Sequence, residues 1–153
     1  MNAEVKDMPQ LRVAMVRHRG PYDGISSAFD RLGKLAGQAG LFGPDSKMIA
    51  LYYDAPETTA ADELRSAAGI TVSPDAELPA GLDEERLPAG RYLCTTHLGS
   101  YDGLGDAWAQ LTGERLPESA YNGRDGVNYE IYRNNPSEVQ DDELRTELYI
   151  PVA

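Results

Sequence analysis

Apolar and polar residues alternate with a period of two along six stretches of the chain, which is the pattern of half-buried strands. These stretches are residues 11–18, 47–53, 68–72, 91–98, 127–133 and 147–152. Two shorter and more charged segments, near residues 4–8 and 84–87, are expected to form edge strands. Pro56 and Pro136 follow two of the strands and end them, since proline cannot continue a hydrogen-bonded ladder.

Two other segments place apolar residues every three to four positions, which predicts amphipathic helices. The first begins after Pro21 and is expected to end at Gly37 or Gly40, and the second is expected to end at Gly113. The two apolar stripes consist of Ile25, Ala28, Phe29, Leu32 and Leu35, and of Leu104, Ala107, Trp108 and Leu111.

The chain contains an internal repeat. The segment from His18 to Gly24 recurs from His97 to Gly103 at an offset of 79 residues, and beyond the helices the offset becomes 80. We therefore expect one additional residue in a loop of the second copy. The copies span residues 3–72 and 82–152, and residues 73–81 link them within one domain, 1–153.

Each copy reads as strand, helix, strand, strand, so the predicted fold class is α+β. Two such units side by side predict a pseudo-twofold antiparallel sheet with both helices on one face. The opposite face is expected to be concave, with a ligand pocket at the seam between the copies.

Composition excludes several classes of function. The net charge is −11, and no basic stripe is visible for binding nucleic acid or anionic membranes. No apolar stretch is long enough to cross a bilayer, and no secretory signal is present. The single cysteine, Cys94, favours a reducing, cytoplasmic location. The sequence leaves the oligomeric state open.

Positions shared by both copies are explained by the fold, so His18 and His97 are expected to be structural. They form neither a metal site nor a nucleophile–base pair, and no motif indicates a cofactor. Function is better sought where the copies differ. In the strand at 127–133, the face that carries Glu130 corresponds to the face that carries Ala50 in the first copy.

Glu130 has two interpretations. It could be a solvated strand residue, or a partly buried carboxylate that faces the concave seam opposite the small Ala50 and pairs with a cation or acts as a general acid or base. Nine tyrosines and one tryptophan against two phenylalanines favour a pocket lined by aromatic rings with polar groups. The predicted ligand-binding residues are Glu130, Tyr132, Tyr52, Ala50, Met48, Tyr149 and Trp108. If the protein is an enzyme, Glu130, Glu147 and Tyr149 are the predicted catalytic residues.

Four segments together resemble the GyrI-like small-molecule-binding family, and they follow in the same order along nearly the whole chain. They are residues 17–22, 50–56, 129–136 and 147–152. That family includes DNA gyrase inhibitory proteins and the effector-binding domains of AraC- and MerR-type regulators. The resemblance implies a tyrosine-lined pocket in which a strand glutamate, here Glu130, pairs with cationic aromatic compounds. Since both ends belong to the repeat, no helix–turn–helix region is expected.

Three functions follow in order of preference. The first is capture of a cationic or amphipathic small organic molecule. The second, implied by some relatives, is hydrolysis of strained cyclopropane rings in genotoxic compounds. The third is inhibition of DNA gyrase by protein–protein contact, in which an acidic surface would meet a basic partner.

Overall fold

The α+β class is confirmed, and every predicted strand is present with its boundaries moved by at most three residues. The computed structural model describes residues 2–153. The strands are β1 (Glu4–Met8), β2 (Leu11–Arg19), β3 (Met48–Tyr52), β4 (Arg65–Thr71), β5 (Asp83–Leu87), β6 (Gly90–Leu98), β7 (Asn128–Tyr132) and β8 (Arg145–Pro151). The α-helices are α1 (Ser26–Gln38), α2 (Leu104–Gln110) and the short α3 (Leu116–Glu118).

These elements form two compact units. Unit A is Gln10–Pro88, and unit B is the segment that ends at Pro9 together with Ala89–Ala153. Unit A holds an antiparallel sheet of order β3-β4-β2-β5, and unit B one of order β1-β6-β8-β7.

The compact units do not coincide with the repeated copies of the sequence, because the copies exchange their first strands. Strand β1 is the first strand of the first copy but pairs with β6 of the second, with Glu4 opposite Cys94. Strand β5 is the first strand of the second copy but pairs with β2 of the first, with Leu87 opposite Leu11. The segment 73–81 is part of unit A, where the Arg12 guanidinium donates hydrogen bonds to carbonyl oxygens of that segment.

In each unit one helix covers one face of the sheet, which we call the helix face. In unit A, Leu32 and Ala36 of α1 pack on Ala68 and Ile70 of β4. In unit B, Ala107 and Leu111 pack on alternate residues of the central strands, Leu93, Leu148 and Ile150. The period of two in the strands and the apolar stripe of the helices therefore meet as predicted, because burying both surfaces removes apolar area from water.

The second helix departs from the prediction. It does not end at Gly113, because a π-helical turn (Leu111–Arg115) follows α2 and leads directly into α3. The helical segments end at Gln38 and Glu118, which are already 80 residues apart. The additional residue of the second copy thus lies inside the helix, and its expected position in a loop was wrong.

The reason is the side of the helix that must face the core. In an uninterrupted α-helix, Arg115 would occupy the position of Ala36, which is fully buried in unit A. A π turn absorbs one residue, so Leu116 takes that position and packs against the core of unit B. Since Leu111 matches Leu32 and Gly113 matches Gly33, the additional residue is Thr112.

The turn between strand and helix, which occurs in both copies, explains the role of the two histidines. The His18 ring nitrogen Nε2 lies 3.0 Å from the Pro21 carbonyl oxygen, and the His97 Nε2 lies 2.9 Å from that of Ser100. A carbonyl oxygen only accepts, so each Nε2 carries the proton. The histidines are structural, as expected.

None of the helices in the described part of the chain, residues 2–153, is long and apolar enough to span a membrane.

Candidate functional site

Glu130 is a buried carboxylate on the helix face of unit B. It occupies the middle of β7, opposite Leu148 of β8, and Leu148 packs under α2. The residue is 1% exposed, so the interpretation as a solvated strand residue is wrong. The expectation that Glu130 faces a concave seam on the side of the sheet away from the helices was also wrong, because Trp108 of α2 contacts it. Removing a carboxylate from water costs several kcal/mol unless other groups stabilise it, so its neighbours decide what the site can do.

Two neutral donors from different elements contact this carboxylate. The indole nitrogen Nε1 of Trp108 donates to Glu130 Oε1 over 3.3 Å, and the Tyr132 hydroxyl donates to Oε2 over 3.4 Å. Trp108 comes from α2, where its ring also packs against the core of unit B. The structure therefore brings together three of the predicted ligand-binding residues, with one polar group and two aromatic surfaces.

Tyr101 extends this aromatic surface. Its ring meets that of Tyr132 edge-on, with centroids 5.6 Å apart. Burial, and then the negative charge of Glu130, raise the pKa of the Tyr101 phenol. Tyr101 was not among the residues predicted from the sequence, because it matches Tyr22 of the first copy and shared positions were attributed to the fold. Tyr101 lies one helical turn before the apolar stripe of α2, and this spacing in the sequence could have indicated that it belongs to the same surface.

Unit A carries three more of the predicted ligand-binding residues. Met48, Ala50 and Tyr52 lie on β3, opposite Ile70, Ala68 and Ser66, and therefore on the helix face of their own unit. Tyr52 and Tyr22 pair with ring centroids 4.8 Å apart, which repeats the Tyr101–Tyr132 pair of unit B. No carboxylate accompanies this pair on β3, since Ala50 takes the place of Glu130.

The predicted catalytic residues do not share one site. Glu130 lies opposite Leu148 and faces the helix, whereas Glu147 and Tyr149 are the neighbours of Leu148 and face the other side of the sheet. A strand places successive side chains on opposite faces, so the sheet itself separates the two carboxylates. The prediction that placed Tyr149 in one pocket with Glu130 was wrong for the same reason.

Glu147 belongs to an ion-pair network on that opposite face. Arg133 lies 2.7 Å from its carboxylate, and the Tyr149 hydroxyl donates to the same oxygen over 2.7 Å. Burial alone would raise the pKa of Glu147, but the bonds from Arg133 and Tyr149 outweigh it and lower the pKa. Glu147 is therefore ionised near neutral pH and is not suited to donate a proton.

The opposite face of unit B also holds a cluster of tyrosines and a shallow groove. The rings of Tyr129 and Tyr149 stack at 4.8 Å, and Tyr92 meets Tyr129 edge-on at 5.3 Å. The groove has a volume of about 460 Å³, and Lys6, Cys94 and Glu147 are among its lining residues. Burial raises the pKa of the Cys94 thiol to about 11, so this cysteine is not a reactive thiolate at neutral pH.

One buried hydroxyl near the site was not identified from the sequence. Thr146 lies opposite Tyr132 on the helix face and is fully buried, and its Oγ1 has no hydrogen-bond partner among the described residues. The matching Ser66 in unit A has the same property. Within residues 2–153 no group of three or more histidine, cysteine or acidic side chains is arranged to hold a metal ion.

Comparison with known proteins identifies the family of this chain. The model of the GyrI-like small molecule binding domain matches residues 1–153. The chain belongs to the GyrI-like family. A DNA gyrase inhibitor of Yersinia enterocolitica is 34% identical over 136 residues, which cover 86% of this chain and 85% of that protein. A DNA gyrase inhibitor of Serratia proteamaculans is 33% identical over 140 residues, which cover 88% of each chain.

Solved structures of this fold are similar over the whole length. The C-terminal domain of EcmrR superposes with a TM-score of 0.79 at 20% identity, covering 99% of this chain and 97% of that one. The structure of SAV2435 bound to tetraphenylphosphonium superposes with a TM-score of 0.74 at 13% identity, covering 100% and 94%. At these identities the likeness establishes the GyrI-like fold.

Proposed function

We propose that this GyrI-like protein binds a cationic, aromatic small molecule through the Glu130 carboxylate. The observation that carries the proposal is a carboxylate that is 1% exposed and is contacted by Trp108 and Tyr132. An organic cation would supply the opposite charge that a buried carboxylate favours, and the aromatic rings offer it cation–π contacts. The net charge of −11 also favours the approach of cations.

Binding requires side chains at the site to move. Because Glu130 is almost fully buried, a ligand reaches the carboxylate only when the Trp108 or Tyr132 side chain that contacts it is displaced. Both residues are only partly buried, so each has an exposed edge from which such a movement can begin. The site is thus proposed to form on binding, with the aromatic rings turning from partners of Glu130 into walls around the ligand.

The test uses two probes of nearly the same shape and opposite charge, tetraphenylphosphonium and tetraphenylborate. Isothermal titration calorimetry should detect binding of the phosphonium and not of the borate. Glu130→Gln should weaken phosphonium binding by about 10- to 100-fold, which corresponds to about 1.4 to 2.8 kcal/mol. Glu147→Gln is the matched control, because it removes a carboxylate from the opposite face and should leave the affinity unchanged.

Two results would contradict the proposal. One is equal binding of the phosphonium by wild type and Glu130→Gln. The other is equal affinity for the cation and the anion, since that would make apolar burial alone responsible for binding.

A second candidate is inhibition of DNA gyrase, favoured by the names of relatives that are 33–34% identical over most of the chain. The direct assay is gyrase supercoiling of relaxed plasmid with increasing amounts of this protein. Loss of supercoiling at a small molar excess supports the activity, and unchanged supercoiling at large excess removes it. The Glu130→Gln variant separates the two functions, since a protein–protein contact does not need the buried carboxylate.

A further inference from the structure

The helix of unit B differs from that of unit A by one residue, Thr112, and this residue contacts the candidate site's aromatic partner. In α1 the chain from Ser26 to Gln38 is an uninterrupted α-helix. In unit B the π turn begins at Leu111, three residues after Trp108. π turns in α-helices are rare and are found frequently at functional sites.

Thr112 bonds to the backbone of Trp108. Its Oγ1 donates to the Trp108 carbonyl oxygen over 2.9 Å, and the Leu111 N–H donates to the same oxygen. A threonine that bonds back to the carbonyl four residues earlier bends a helix locally, so the hydroxyl helps to set the direction of the turn that carries the indole. The Thr112 side chain is itself exposed.

Three differences between the copies therefore coincide. Trp108 replaces Phe29, Glu130 replaces Ala50, and Thr112 is added between them. Phenylalanine has no N–H and alanine has no carboxylate, so unit A cannot form the bond that joins Trp108 Nε1 to Glu130 Oε1. The insertion occurs only in the copy that has this bond.

We propose that Thr112 is a positioning residue. Its insertion creates the π turn, and its hydroxyl bonds to the Trp108 backbone; together they hold the Trp108 indole over the Glu130 carboxylate. This inference rests on the proposed function only where it concerns ligand affinity. The π turn lies between Trp108 and Leu116. The orientation of the helical turn that carries Trp108 can therefore suit the bond to Glu130, while Leu116 at the end of the helix stays packed on the core.

The protein offers a direct probe, because Trp108 is its single tryptophan. Emission maximum and acrylamide quenching of the free protein report the surroundings of this indole without any ligand. Thr112→Val keeps the inserted residue and removes the hydroxyl, and deletion of Thr112 restores the offset of 79 residues between the copies through the end of the helix. Both changes should alter the emission maximum and the quenching constant, and Thr112→Ser, which keeps the hydroxyl, should resemble wild type. Gln110→Ala, at another exposed position of the helix, is the control.

Affinity for tetraphenylphosphonium provides the second readout. Because a ligand must displace the side chains that cover Glu130, loss of a hydrogen bond that holds Trp108 in place should strengthen binding by about 2- to 10-fold in Thr112→Val, with return to the wild-type affinity in Thr112→Ser. Unchanged Trp108 emission and quenching in Thr112→Val would overturn the inference, whether or not the deletion variant folds. If wild type fails to bind the phosphonium, the proposed function fails, and the emission of the free variants still decides the role of Thr112.

Discussion

The bond between Trp108 and Glu130 can be measured with a double-mutant cycle on protein stability. The variants are Trp108→Phe, Glu130→Ala and the combination of both. The first copy already holds the pair Phe29 and Ala50 at these positions, so the double variant is a combination that this fold accommodates. The cycle isolates the interaction of the two side chains from the separate cost of changing each one.

The expected coupling follows from the geometry. Hydrogen bonds to charged groups contribute about 1.5 to 3 kcal/mol to stability. The Trp108–Glu130 distance of 3.3 Å is longer than that of a strong charge-assisted bond, so the lower part of this range applies. We expect a coupling of about 1.5 to 2 kcal/mol, and Trp108→Phe alone should lower Tm by about 3 to 8 °C, given about 2 to 4 °C per kcal/mol for a chain of this size.

Urea unfolding followed by far-UV circular dichroism supplies the four free energies, since Trp108→Phe removes the only tryptophan. The control cycle combines Trp108→Phe with Glu147→Ala, whose side chain lies on the other face of the sheet, and it should be additive. A Trp108–Glu130 coupling below about 0.5 kcal/mol, the usual error of additivity, would refute the claim that the indole stabilises the buried carboxylate.

Two further predictions concern unit B. Thr146→Val should raise the free energy of unfolding by about 1 kcal/mol in the free protein, because it removes a fully buried hydroxyl that has no partner within residues 2–153; destabilisation measured by urea titration would mean that the hydroxyl is satisfied. Glu147 has a lowered pKa in the folded protein because of Arg133 and Tyr149, so its contribution to stability is present above its ordinary pKa of about 4.5 and is lost as the pH falls through the folded value. The Tm difference between wild type and Glu147→Gln should therefore shrink on acidification from neutral pH to about pH 3, and a difference that stays constant would contradict the ion-pair network.

Several features of the site follow from the sequence because they depend on local periodicity. The alternation in the strand at 127–133 placed Glu130 and Tyr132 on one face and Tyr129 on the other, as the register of β7 confirms. The comparison of the two copies also singled out Glu130 against Ala50. Neither step required knowledge of which strands pair, since a period of two is a property of one strand.

The register between strands was decided only in three dimensions. Glu130 stands opposite Leu148, and a shift of one residue would have placed it opposite Tyr149 and on the same face. The predicted pocket combined Glu130 with Tyr149 without fixing this register, and the sheet keeps the two side chains apart. The exchange of β1 and β5 was also decided only in three dimensions. The two copies have similar first strands, and the sequence does not specify the strand with which each one pairs.

The sequence by itself determined the repeat, the type of each element, which residues of a strand share a face and the presence of one additional residue in the second copy. Only the tertiary structure decided that this residue, Thr112, lies in a π turn. The physical reason is that a helix inserted into a core must keep its apolar side toward the sheet, and an unbroken α-helix would have buried Arg115 where Leu116 now packs. That requirement exists only once the helix has a surface to pack against.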